Sequence, residues 1–247
     1  SAGEAAGPLV YQAVASDEES NHAVEFNLQA GCEEELGLEG IAILELICHL
    51  AYTSAYNQLR TREQLGYIVS AFFRKSQGGG IGLGVTVQSN AKTPPELHDR
   101  IEEWLTLFRK ELEEMDDEEV AEEGAAVVAQ LTEKDMKLSH AVGRAWAEIS
   151  LTELQPHAPP HWDRLEAIAD GIRDVPNLKK KLLEKWDEWF VKDRRAMSGW
   201  VWSGQEGRKE GFDEWKLKKK NVLSSREEVE AFKQSMALRP FPHGPPS

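Results

Sequence analysis

The chain has 247 residues, 40% of them apolar and 29% charged, with a net charge of −14. That is the profile of a folded globular protein, and its acidity argues against nucleic acid or an anionic membrane as a partner, because both need a basic face. Its two cysteines, Cys32 and Cys48, make no disulfide framework or C-x-x-C pair, so a reducing compartment, the cytoplasm by default, is expected. No apolar run approaches the ~18 residues of a membrane span. The sequence opens on Ser1 with no signal-like apolar segment, which suggests a fragment or a processed product.

In chain order, Leu9 to Ala15 and Ala23 to Gln29 alternate as strands around the polar turn Ser16 to Asn21. Leu38 to Leu65 repeats apolar residues at helical spacing, through Ile41, Leu44, Ile47, Leu50, Ala51, Ala55 and Leu59. Tyr67 to Phe73 and Ile81 to Gln88 are strands of a hairpin turning at Lys75 to Gly80. Thr93-Pro94-Pro95-Glu96 is a capping box with proline at the first helical position, and it opens a helix striped by Leu97, Ile101, Trp104, Leu105, Phe108, Leu112 and Met115. Asp116 and Glu119 cap a further helix, weakly patterned through Ile149, with Gly124 and Gly143 as its candidate breaks. Helices at Trp162 to Ile172 and Pro176 to Phe190, a strand at Arg195 to Trp202 and a capped helix at Ser225 to Met236 complete the pattern.

Hairpins followed by a helical run predict an α+β fold, with a mainly antiparallel sheet and helices packed on one face. Nothing divides the chain, so residues 1–247 read as a single domain, with 204–220 as a loop insertion.

Most candidate chemistry dissolves on inspection. A zinc peptidase helix needs H-x-x-E-H, and none of the seven histidines has the spacing. His22 gives H-A-V-E-F within a strand, and His157 and His161 enclose Ala158-Pro159-Pro160, which breaks helical geometry. His98 with Glu102 reads as an exposed polar pair. Gly78 to Gly84 lacks phosphate-loop spacing and precedes a strand where a helix is needed, so it reads as a turn whose Gly82 and Gly84 admit another backbone. Cys48, on an apolar helix, reads as a buried structural thiol. The tryptophans read as core, with one or two at an interface. No metal site is expected in this chain.

One decapeptide remains: Leu59-Arg60-Thr61-Arg62-Glu63-Gln64-Leu65-Gly66-Tyr67-Ile68. Gly66 suits a left-handed helix end, which makes the segment a corner with Arg60 on the last helical turns and Tyr67 opening the strand. A guanidinium and a phenol held there suit a peptide backbone and a developing oxyanion.

The decapeptide resembles the L-R-T-x-E-Q-L-G-Y motif in the C-terminal half of the insulinase/pitrilysin family of zinc metallopeptidases, with Arg62 at the variable position. The resemblance runs from about Leu9 to Phe241, is slight between Ser203 and Asn221, and implies the fourth of four homologous α+β domains. It implies that Arg60 binds substrate main chain, that Tyr67 assists catalysis at the scissile carbonyl, and that Glu63, Gln64 and Gly66 support the corner. It also implies that zinc and the catalytic Glu come from another domain or subunit, the N-terminal half. Peptides are the implied substrates. The alternative is a non-catalytic interaction or scaffold domain that retained only the fold.

Overall fold

In a computed structural model the described residues are 8–76, 79–154, 163–173, 175–206 and 222–235. Strands β1 (Leu9–Val14) and β2 (His22–Cys32) lead into helix α1 (Glu33–Ala55), which continues as a π-helical turn, Tyr56–Arg62. The hairpin β3 (Ile68–Lys75) and β4 (Gly80–Ser89) follows, then helices α2 (Pro94–Glu114), α3 (Asp117–Leu131), α4 (Leu138–Leu154), α5 (Arg164–Arg173) and α6 (Leu178–Trp186). A second π-helical turn, Asp187–Lys192, precedes β5 (Arg195–Trp202), β6 (Val222–Leu223) and α7 (Arg226–Ser235).

The strands form one six-stranded sheet in the order β3-β4-β2-β5-β1-β6. Three of its pairings, β2 with β4, β2 with β5 and β3 with β4, are antiparallel. β1 runs parallel to β5 and β6, so the fold is α+β with a mostly antiparallel, mixed sheet. The alternation of β2 explains its setting: Val24, Phe26 and Leu28 are buried, whereas Glu25 and Gln29 are exposed. Against the buried face lie α1 and α2. Helix α1 is long and apolar enough to cross a membrane, but its apolar residues pack on β3 and α5, as in a core helix.

A chain of aromatic contacts holds α2 to α6: Trp104 stacks on Phe108, and Phe108 meets Trp186 edge-on. The indoles of Trp200 and Trp202 are buried but satisfied, donating to Ser198 Oγ and Gln12 Oε1 at 2.9 Å each. Gln12 also donates to Ser224 Oγ at 2.7 Å, joining β1 to the segment beyond residues 207–221.

Several boundaries differ from expectation. Helix α1 starts at Glu33, but Gly37 (φ 62°, ψ −178°) interrupts it, so the continuous helix begins where the periodicity does. The helix expected from Asp116 through Ile149 is two, α3 and α4, separated by a polar stretch from Thr132 to Lys137 rather than broken at a glycine. The capping boxes at Thr93, Asp116 and Ser225 close as read, with Glu96, Glu119 and Glu228 bonding back. Most of the expected insertion at 204–220, Trp215 included, lies outside the described residues, and so do His157, His161, Trp162 and His243.

Candidate functional site

The decapeptide forms a corner at one end of β3. Widening the helix by one residue per turn, the π-helical segment carries Leu59 inward, where it is fully buried, and leaves Arg60 half-buried beside it. The Arg60 Cζ lies over two rings, 4.8 Å from the Tyr56 centroid and 5.2 Å from that of Tyr67. Both are within cation–π reach. Among the described residues, no acidic side chain pairs with this guanidinium. Tyr67 is 84% exposed, so its phenol meets solvent. It immediately precedes β3 rather than opening it.

The left-handed residue of the corner is Gln64, at φ 52°, and not Gly66 as expected. Leu65 N–H then reaches back to the Leu59 carbonyl at 3.0 Å, one residue further than in a regular helix-ending turn, because the π-helical turn is wider. Gly66 is needed for a different reason: a Cβ there would lie 1.7 Å from the Gln88 carbonyl oxygen of β4. The corner is seated directly on a neighbouring strand's backbone.

Glu63 anchors the corner to α2. Arg100 donates to it twice, Nε to Oε2 at 2.8 Å and Nη2 to Oε1 at 2.6 Å, and Gln58 Nε2 adds a third bond at 2.8 Å. Burial raises the Glu63 pKa, but the bonds from Arg100 and Gln58 outweigh it and hold the carboxyl below the usual range. The two bonds to Glu63 in turn hold the Arg100 guanidinium above its usual value. Arg60, Glu63, Gln64, Gly66 and Tyr67 thus share one corner, with Gln64 setting the backbone bend while its side chain stays in solvent.

Other expected features fall elsewhere. His98 is fully buried, not exposed: its Nδ1 lies 3.1 Å from Ser198 Oγ, and its ring packs against Phe26 and Trp200. His22 is buried at the start of β2 and accepts the Ser203 N–H at 2.9 Å. Among the described residues, no three His, Cys, Asp or Glu side chains gather to hold a metal. Cys48 is buried, and burial, followed by the Glu45 charge, pushes its thiol well above the usual range. Gly82 admits a backbone as expected, with a Cβ position 1.9 Å from the Leu28 carbonyl oxygen. Gly84 accommodates the Phe72 ring instead. Trp146 is exposed. Sequence reasoning passed over Tyr56, whose i to i+4 spacing from Arg60 was the available signal, and Arg100, which has no local signal at all.

A family model described as PQQ synthase PqqF-like, C-terminal lobe domain 4, matches residues 46–146, which include the whole corner. Over 106 residues the chain is 37% identical to insulin-degrading enzyme of Homo sapiens, a match covering 43% of this chain and 10% of that protein. It is 26% identical over 198 residues to the peroxisomal insulin-degrading enzyme-like 1 of Arabidopsis thaliana, covering 79% of this chain and 19% of that one. The chain therefore spans about a fifth or less of the length of these relatives. The crystal structure of pitrilysin shares the fold, with a TM-score of 0.69 at 22% identity, covering 93% of this chain and 23% of the other.

Proposed function

From the premise that this chain is a C-terminal domain of an insulinase-family peptidase, we propose that it is the substrate-binding domain of a zinc metalloendopeptidase. The observation that carries this reading is the pairing of an exposed phenol, Tyr67, with a guanidinium at 5.2 Å that has no acidic partner among the described residues. Arg60 donates to main-chain carbonyls of a bound peptide. Tyr67 donates its hydroxyl to the scissile carbonyl oxygen as negative charge develops there. The two rings beside Arg60 limit its rotation, and Glu63 with Arg100 fixes the backbone beneath it. Gly66 keeps the corner against β4, so both groups share one rigid support.

Zinc and its catalytic Glu belong to another domain or subunit in this reading. When bound there, the metal supplies an activated water for peptide hydrolysis. The test is reconstitution. The isolated 247-residue chain, washed with chelator and resupplied with zinc, should retain no stoichiometric metal and cleave no peptide. Joined to a segment bearing H-x-x-E-H, it should raise that segment's cleavage rate. One tightly held zinc per isolated chain, or no effect on the joined segment, would contradict the reading.

A further inference from the structure

Among the described residues β3 is an edge strand, paired with β4 and with no strand on its other side. It is eight residues long, its register with β4 is unbroken, and it contains no proline. Its two charged residues stand together at the far end and are already engaged, Arg74 with Glu25 at 3.2 Å and Lys75 with Glu33 at 2.8 Å. Exposed edges ordinarily carry a bulge, a proline or a free charge, or are very short, because unpaired backbone groups recruit other chains. The opposite edge, β6, has two described residues. Among the described residues, only β3 is a long and unguarded edge.

Beside it opens a cleft of about 730 Å³, lined by Glu45, His49 and Tyr52 of α1, Ala71 and Phe73 of β3, and Arg144 of α4. His49 is bonded to Glu123 at 2.9 Å and Arg144 to Asp135 at 2.7 Å. The Glu45 carboxyl is different: it is half-buried in the wall of the cleft, and among the described residues it makes no hydrogen bond or ion pair.

We propose that an extended peptide adds to β3 as a further strand and places a basic side chain in this cleft, against Glu45. The proposal rests on the reading that Arg60 and Tyr67 grip a peptide backbone. They stand at the head of β3, so a chain held there runs naturally onto the open edge. Strand addition uses main-chain bonds, which suits a site that must accept many sequences, while alternate side chains enter pockets beside the edge. Ala71 and Phe73 are four and six residues beyond Tyr67, roughly 13–20 Å along an extended chain. The basic residue therefore falls about four to six positions from the gripped carbonyl.

The probe is an end-blocked decapeptide of alternating Thr and Val with one central Lys, titrated into the 247-residue chain by fluorescence anisotropy, with amide hydrogen exchange read at Ile68–Lys75. Binding should slow exchange in β3. N-methylating one alternate set of peptide amides should weaken binding at least tenfold, while methylating the other set leaves it within about twofold, since only one set faces the edge. Replacing the Lys by Glu should weaken binding at least tenfold, and Glu45→Gln should shrink that difference to about twofold. The proposal is overturned by no binding, by unchanged β3 exchange, by equal effects of the two methylation sets, or by self-association of the chain as the source of β3 protection. Arg60→Ala separates this proposal from the reading beneath it. If affinity persists in Arg60→Ala with β3 protected, strand addition stands and the Arg60 grip fails. If affinity in the unmutated chain depends on Arg60 while β3 stays unprotected, the grip stands and strand addition fails.

Discussion

The Arg60 guanidinium sits over the Tyr67 ring at 5.2 Å although a sharp backbone corner separates the two residues. The contact spans the end of the π-helical turn and the start of β3, so it holds only while the corner keeps its shape. Three features keep it: left-handed Gln64, Gly66 against β4, and Glu63 clamped by Arg100.

The first two features separate in mutants. Gly66→Ala drives a Cβ into the Gln88 carbonyl, and neither backbone can yield cheaply, so a loss of about 2 kcal/mol or more is expected. Gln64→Gly relieves a left-handed side-chain-bearing residue and should be neutral or stabilising by up to about 1 kcal/mol. Urea melts of the two variants check this. A stabilised Gly66→Ala chain would mean the corner does not rest on β4.

Arg100→Ala removes both bonds to Glu63 and leaves a half-buried carboxylate with only Gln58. A cost of about 1–2 kcal/mol at pH 7 is expected. The folded Glu63 pKa is depressed, so its stabilisation is fully present above the unfolded value and is lost as pH falls through the folded value. The difference between the original chain and Arg100→Ala should therefore shrink on acidification below about pH 4, read by denaturant melts across pH. A difference independent of pH would assign the cost to lost packing alone.

Glu45 has the opposite sign. Burial raises its carboxyl from 4.5 to about 7, so the folded state binds the proton more tightly than the unfolded state. Its favourable contribution is complete below about pH 4.5 and is lost as pH rises through 7. The integrated effect is roughly 3 kcal/mol at most. Glu45→Gln should flatten the stability profile between pH 5 and 7 and leave the variant more stable than the original at pH 8. Parallel profiles for the two chains would mean that Glu45 is solvated.

What the sequence disclosed about this corner was its local part. Leu59 to Ile68 carried the motif, the apolar period of α1 led up to it, and three capping boxes marked helix starts correctly because each closes within four residues. What stayed hidden was non-local. That Gly66 is required by Gln88, 22 positions on, is a property of β4 packing beneath the corner. The Glu63–Arg100 clamp spans 37 positions. The burial of His98 follows from β5 arriving 100 positions later with Ser198. The shift of the left-handed residue to Gln64 comes from the π-helical turn, which a period of 3.6 cannot register. The parallel pairing of β1 with β5 and β6 leaves no mark in either strand's own pattern.

The central claim is that Tyr67 acts on charge that appears only during the reaction. Its most direct measurement is Tyr67→Phe in the zinc-bearing enzyme that contains this chain, with kcat and KM determined separately. The ring and its contact with Arg60 survive that change, so ground-state binding should persist and KM should stay within about threefold. Loss of one oxyanion donor should lower kcat by about 10²-fold or more. Arg60→Ala, by contrast, should raise KM as well. A Tyr67→Phe enzyme with kcat within about twofold of the original would contradict the claim and leave Tyr67 as an exposed aromatic at the head of an edge strand.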